Sequence, residues 1–414
     1  MTVRYACADC GAAYTTDAVL YRCPACEAAV PAGGFARGIL SVVTDPDRLR
    51  DAARRGSPVD PRAFLPIAVP DAAAFPAGGT PLVAPARLRE ATGVPNLFLK
   101  NDALNPSGSL KDRASLLVAG QAAAAGERRV ALASTGNAGA SMACAGAALG
   151  LEVVLFVPVS APRAKLLQSL LYGARVVPVR GTYDDAFALS IAYTRACGGV
   201  NRNTAFNPLT IEGKKTVSLE IWNQLGGRMP DVVYVPTGDG VILGGVHKGF
   251  ADLVAAGLAE RLPALVAVQA AGSNAIAASF KAGREVVLDR TATIADSLSV
   301  ACPANGRMAL RCLALSRGRA IEVDDEAISA AQLALCRDAG LFVEPSSAAA
   351  WAGFLADRGS FDARATVVVL LTGTGFKDVK AAERLAALPE PCDARLDAAL
   401  ALLERSYGGH HQQQ

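Results

Sequence analysis

At 414 residues the chain exceeds one average domain and is long enough to enclose a large buried core. A net charge of +3 gives no electrostatic case for nucleic acid, and no uninterrupted apolar run reaches the roughly 18 residues that a membrane span needs. With 51% hydrophobic residues and many Ala and Gly, the composition excludes a disordered or fibrous chain and matches an α/β enzyme.

The first residues, Met1-Thr-Val-Arg-Tyr-Ala-Cys7, lack the basic start and apolar run of a secretory leader, so a cytoplasmic location is expected. Two Cys-x-x-Cys knuckles follow, Cys7 with Cys10 and Cys23 with Cys26, separated by 12 residues. That spacing can place four thiolates around one tetrahedral zinc, although a redox pair or four free thiols share the pattern. Four protein ligands leave no open coordination position, so such a zinc is structural, and its removal should leave catalysis largely in place. Residues 1–35 are read as a zinc-ribbon-like segment and 36–78 as a connecting arm with one helical patch at 46–55. The remaining cysteines, Cys144, Cys197, Cys302, Cys312, Cys336 and Cys392, are scattered as small core residues are.

From Gly79 the pattern alternates short apolar runs with longer Ala-rich segments, and a catalytic body is expected over 79–390. Strands are predicted at 97–100, 129–133, 152–158 and 175–179, with helices at 111–125, 138–149, 165–172 and 184–197. Strand and helix in alternation make a parallel sheet with crossover helices. The stretch Thr210-Ile-Glu-Gly-Lys-Lys-Thr216 leads into an amphipathic helix through Gln224, and with buried strands at 231–236, 265–269 and 365–371 this predicts a second parallel sheet. Two lobes result, the smaller over about 108–200, with a cleft between them. Residues 391–414 form a C-terminal helix and a frayed polar tail.

Ligands in such sheets collect at strand ends, where glycine turns let backbone amides approach an anion. Three such turns are present: Ser134-Thr-Gly-Asn137, Gly238-Asp-Gly-Val-Ile242 and Thr372-Gly-Thr-Gly375. Each taken alone is also what an ordinary helix cap or structural turn would show. The second does not keep dinucleotide-binding spacing. Its Asp239 would repel a phosphate, so the carboxylate is expected to turn away and leave only the amide. A fourth stretch, Ser107-Gly-Ser-Leu-Lys-Asp-Arg113, sets Lys111 at the mouth of a helix. His247, on the helix after the second turn, reads as a packing or surface residue.

Taken with Ile211-Glu-Gly-Lys-Lys-Thr216 and Glu344-Pro-Ser-Ser347, these stretches resemble the threonine synthase family, of the tryptophan-synthase-β-like (fold type II) pyridoxal-phosphate enzymes. The resemblance runs from about Gly79 to Asp378 in order and spacing. It implies an α/β fold type II body that uses pyridoxal 5'-phosphate, with Lys111 as the Schiff-base lysine and general base. It further implies that Asn137 bonds the cofactor's phenolic oxygen, that Ser134, Thr135 and Gly136 hold the substrate carboxylate, and that Gly238, Asp239, Gly240, Val241 and Ile242 hold the cofactor phosphate. Thr372 would face the pyridine nitrogen. The implied reaction is elimination or replacement on an amino acid, most simply O-phosphohomoserine plus water to threonine plus phosphate, in a homodimer. Relatives on the same frame run cysteate synthesis and threonine or serine dehydration.

Two positions depart from the family pattern. Thr210 stands where many members carry an arginine, and Leu110 where an aromatic residue is usual. Lys214, Lys215, Arg202 and Arg113 are the candidates to take a substrate phosphate instead. A different class, a catalytically decayed body that serves as a zinc-ribbon binding module, is opposed by the intact Lys111, Asn137, glycine turn and Thr372.

Overall fold

Val232–Pro236 and Val367–Leu371 are buried at every position, as befits central strands of a sheet covered by helices on both faces. They lie in the middle of a six-stranded sheet ordered Arg319–Val323, Ala264–Ala270, Val232–Pro236, Val367–Leu371, Leu97–Asn101 and Leu82–Val83. All its pairings are parallel except the short edge strand Leu82–Val83. A second, fully parallel sheet runs Arg175–Val179, Glu152–Pro158, Arg129–Ala133, Val200–Asn201 and builds the other lobe. The computed structural model describes residues 3–16, 20–30, 37–56, 58–287 and 291–407.

The elements expected between 97 and 197 are present with ends moved by a residue or two. Three short strands had no apolar run to betray them: Leu82–Val83, Val200–Asn201 and Arg319–Val323. The helix expected to follow the Thr210–Thr216 stretch and run through Gln224 is Thr216–Gln224, and the stretch itself forms a further short helix, Leu209–Lys214. Residues 379–414 form a separate compact unit with helices at Val379–Glu383 and Leu396–Tyr407; the expected frayed tail after Tyr407 lies outside the described residues.

Helix Lys111–Ala124 is buried on all sides from Asp112 to Ala122, which its small residues permit and a polar face would not. Its anchor is ionic. The Arg113 guanidinium donates to Asp102 at 2.6 and 2.8 Å and to Glu220 at 2.6 and 2.7 Å, and Lys100 Nζ donates to Glu220 at 2.6 Å. Burial would raise the Glu220 carboxyl, but Arg113 and Lys100 override it and hold it at about 2. Removing one member of such a network strands buried charge. Glu220→Ala is therefore expected to cost about 3–5 kcal/mol in denaturant unfolding, and a loss below 1 kcal/mol would contradict this role.

The N-terminal segment folds as an antiparallel sheet, Ala13–Thr16, Val3–Cys7 and Leu40–Val42. Tyr5, Cys7, Cys23, Leu40 and Val42 share one apolar cluster with Leu117 of the buried helix and Leu209. The cysteine segment is thus seated on the catalytic body. Tyr21 stacks on Phe206 with ring centroids 4.7 Å apart and accepts the Asn201 N–H at 2.7 Å. Arg22 donates to the Ala205 carbonyl at 3.1 Å. Ala205 has φ +65°, a left-handed conformation that a residue with a Cβ keeps only when its surroundings enforce it.

Candidate active site

Lys111 is placed by two turns that zip together. Leu110 N–H donates to the Thr372 carbonyl at 2.8 Å and Thr374 N–H to the Gly108 carbonyl at 3.0 Å. Gly108 has φ +87°, and a Cβ there would meet Thr374 Cγ2 at 2.8 Å, so the close approach requires glycine. Asp112 closes the turn from within, accepting from the Ser107 N–H and hydroxyl, each at 2.6 Å. The Glu344–Ser347 stretch braces the far side: Ser347 Oγ accepts the N–H groups of Thr372 and Gly373 at 2.9 and 2.8 Å.

These contacts bring Lys111, Asn137, Gly238, Asp239, Ile242 and Thr372 onto the wall of one cavity of about 480 Å3, together with Glu344. Gly136 and Asn137 also line an adjoining cavity of about 410 Å3 with Lys165, Gln168 and Lys377. Ser134 is set back, its Oγ accepting from Gly136 N–H at 3.2 Å and Gly139 N–H at 3.0 Å as a helix cap does. Thr135 is half-buried on the same turn. Gly240 and Val241 are buried behind the loop, where Gly240 at φ +90° starts helix Val241–Ala255.

Asp239 Oδ1 accepts the Val241 N–H at 3.0 Å, so the carboxylate folds back over the start of the helix. The reason is electrostatic: a helix N-terminus is short of acceptors, and Lys111, Arg202 and Lys214 all feel the charge of Asp239.

Burial pushes the Lys111 amine below its ordinary range, opposed by Asp239 and reinforced by Arg202. Burial likewise pushes the Glu344 carboxyl up, opposed by Asn137 and Lys111. Asn137 Nδ2 donates to both oxygens of Glu344 at 3.0 Å. Glu344 is a wall residue to which the sequence reading gave no role, since a lone acid before Pro345 resembles any helix start. Of the four cations considered for a phosphate, Arg113 is held by Asp102 and Glu220, and Lys215 by Glu212 and Asp252.

His247 Nε2 has no partner among the described residues, and burial takes its pKa down to about 4. The folded protein keeps it neutral, whereas the unfolded chain binds a proton below about 6.5. Its contribution to stability is therefore complete above about pH 6.5 and is lost as the pH falls toward 4. His247→Phe is expected to remove about 2–3 kcal/mol of this acid sensitivity, read as the difference between unfolding midpoints at pH 7 and pH 4.5; an unaltered difference would contradict it.

The four cysteine sulfurs lie within 4.8 Å of one another. Cys7 to Cys26 is 3.8 Å and Cys10 to Cys23 is 3.7 Å, close to the separation of about 3.8 Å that a tetrahedron of 2.3 Å zinc–sulfur bonds demands. The cluster is compatible with a zinc ion. Near the body's cavity the donor set fits pyridoxal phosphate: a primary amine at one side, a glycine turn at a helix N-terminus, and amide and hydroxyl groups between.

The chain belongs to the pyridoxal-phosphate dependent enzyme family, which residues 74–373 match. It is a lyase of that family. Among its relatives, a threonine synthase of Methanosarcina acetivorans is 33% identical over 402 residues, covering 95% of this chain and 96% of the relative. One from Methanocaldococcus jannaschii is 32% identical, covering 92% and 95%. Maize serine racemase shares the fold, with a TM-score of 0.64 at 23% identity over 82% of this chain and 96% of that one. So does the processed threonine deaminase isoform 2 of Solanum lycopersicum, with a TM-score of 0.65 at 21% identity over 86% and 97%. No helix among the described residues is long and apolar enough to cross a membrane.

Proposed function

We propose that the protein is a threonine synthase that converts O-phosphohomoserine and water to threonine and phosphate. The observation that carries this reading is the single cavity lined by Lys111, Asn137, Gly238, Asp239, Ile242 and Thr372. The near full-length relatives that bear the name threonine synthase support the choice of substrate. In this reading Lys111 carries the cofactor, Asn137 bonds its phenolic oxygen, the Gly238–Ile242 turn takes its phosphate, and Thr372 faces its ring nitrogen. The Ser134–Gly136 turn takes the substrate carboxylate, and Cys7, Cys10, Cys23 and Cys26 hold a structural zinc. Domain limits follow the same reading: ribbon 1–35, arm 36–78, body 79–390 and tail 391–414. The protein would be a cytoplasmic homodimer, which light scattering and fractionation check.

When bound, pyridoxal phosphate supplies the electron sink. The chain supplies the proton chemistry. Burial leaves the Lys111 amine neutral at lower pH than a free lysine, so Nζ can take the proton from the substrate Cα. Glu344, a carboxyl raised by burial, fixes Asn137 through its two bonds and so sets the orientation of that amide. The two adjoining cavities meet at Asn137, Ser297, Glu344 and Ser346, and the Lys165–Asp296 pair at 2.8 Å lies on the wall of the second.

The test is to incubate the purified enzyme separately with O-phosphohomoserine, with O-phosphoserine plus sulfite, with threonine and with serine, following products by mass. Threonine and inorganic phosphate from the first are expected. Turnover of the others with none of the first would replace this substrate by a sulfite-using or dehydrating one.

A further inference from the structure

Helix Arg163–Leu171 connects strands Glu152–Pro158 and Arg175–Val179 of the four-stranded sheet and packs on helix Asn137–Leu149. It therefore rides with the lobe that presents Asn137 and the Ser134–Gly136 turn. The turn that presents Lys111 is fastened to the other lobe, because Leu110 N–H donates to the carbonyl of Thr372, which follows the central strand Val367–Leu371 of the six-stranded sheet. Helix Arg163–Leu171 reaches across to that side at two points. Lys165 meets Asp296 at 2.8 Å, but the Asp296 side chain is 56% exposed, and an ion pair so open to water holds little. Gln168 makes the other contact, and it goes deeper.

Gln168 Nε2 donates to the Ser107 carbonyl at 3.0 Å and to the Tyr172 hydroxyl at 3.3 Å, while its Oε1 accepts from Lys377 Nζ at 2.5 Å. An ammonium group can only donate and a carbonyl can only accept, so Lys377 on one side and Ser107 on the other allow the amide a single orientation. Ser107 is buried, and its N–H and hydroxyl are both spent on Asp112 at 2.6 Å. Its carbonyl is what remains, and Gln168 takes it. Lys377 reaches the amide by crossing over Gly108, where an added Cβ would stand 3.3 Å from Lys377 Cε. One side chain thus clasps the turn before Lys111 and the turn after Thr372 together. Asp112, which grips Ser107 from the far side, is the next residue to Lys111 in the chain.

We propose that Gln168 is a positioning residue for Lys111: by holding the Ser107 carbonyl it makes the placement of the lysine depend on where helix Arg163–Leu171 sits in the opposite lobe. A displacement of that helix passes through one hydrogen bond to Ser107, through Asp112 to the start of helix Lys111–Ala124, and so to the lysine. The proposal rests on the reading of Lys111 as the residue that carries the cofactor; the identity of the substrate enters only one arm of the test. Gln168 also lines the second cavity beside Gly136 and Asn137, so contact with substrate is the rival role to be separated from positioning.

The experiment uses the pyridoxal-phosphate-loaded enzyme and the variants Gln168→Leu, Gln168→Glu and Lys377→Met. The rate of bleaching by borohydride without substrate, the pH profile of turnover, and KM and kcat for O-phosphohomoserine are measured. Gln168→Leu is expected to lower kcat by about 10–100-fold, the scale of a small misplacement, with KM held within about threefold. Its pH profile should move up toward the ordinary lysine value near 10.4, because a loosened turn returns the amine to water, and bleaching should be several-fold faster for the same reason. Gln168→Glu keeps an acceptor for Lys377 but sets a carboxylate against the Ser107 carbonyl, so it should lose as much; this arm holds even if Gln168→Leu fails to fold. Lys377→Met leaves the bond to Ser107 and should lose less. Parent-like bleaching and pH profile in both Gln168 variants would overturn the proposal, and so would a raised KM with an unmoved pH profile, which would make Gln168 a substrate contact. A Lys377→Met protein as impaired as Gln168→Leu would overturn the path through Ser107. Should Lys111→Ala bleach like the parent, the reading of Lys111 itself falls; should the parent ignore O-phosphohomoserine, only the choice of substrate falls, and bleaching still decides the role of Gln168.

Discussion

Lys111→Ala is expected to abolish the visible absorption of the loaded protein and to lower turnover by at least about 10⁴-fold, the upper range for loss of a general base, since the same amine also carries the cofactor. Lys111→Arg should be as inactive, because a guanidinium stays protonated where a base is required. In the parent, burial lowers the lysine's pKa, so the neutral base form accumulates as pH rises through that lowered value. Turnover should therefore climb and reach its plateau below the pH near 10.4 at which a free lysine titrates. Borohydride should bleach the parent and leave Lys111→Ala unaffected. A coloured, active Lys111→Ala protein would end this account of the site.

In the zinc-loaded protein proposed above, stripping the metal from the cysteine cluster is expected to reduce catalysis by about 10²-fold, the scale set by an ångström of misplacement in a site. Four protein ligands make such a zinc structural, and from that alone the expectation is that activity largely persists. The change comes from contacts. Tyr21 and Arg22, beside Cys23, hold the Asn201–Phe206 turn through a stacked ring and two hydrogen bonds. Asp9, inside the first knuckle, accepts from Arg307 at 2.9 Å, and Asn305, two residues before Arg307, donates its N–H to the Asp239 carbonyl at 3.1 Å. A loosened ribbon thus releases both the turn that carries Arg202 and the support of the Asp239 loop. Arg22→Ala should reproduce part of the loss with the metal still bound, and re-added zinc should restore the stripped parent. Full activity in a stripped protein whose first 42 residues have become protease-sensitive would show that the ribbon does not reach the site.

Much of the frame was legible before any coordinates. Strands such as Val232–Pro236 are apolar throughout because both faces are covered, and that run is visible in one dimension. The edge strand Leu82–Val83 and the half-buried Arg319–Val323 carry no such run, and they were missed. Lys111 and the three glycine turns were recognisable because close approach at a strand end demands specific small and hydroxyl residues at fixed spacing. The ranking among cations was not recognisable: Arg113, Lys215, Arg202 and Lys214 look alike in sequence, and only the positions of Asp102, Glu220, Glu212 and Asp252 separate the paired from the unpaired.

The sequence by itself determined the class of fold, the lysine and the cysteine quartet, because each is written in local pattern: hydrophobic period, turn chemistry and ligand spacing. Only the tertiary structure decided which groups act on Lys111, that Glu344 holds Asn137, that Asp239 folds back over its own helix, and that the cysteine segment braces the Asn201–Phe206 turn. Those depend on which distant segments meet, and the strength of a buried charge is set by its neighbours in space rather than by its neighbours in the chain.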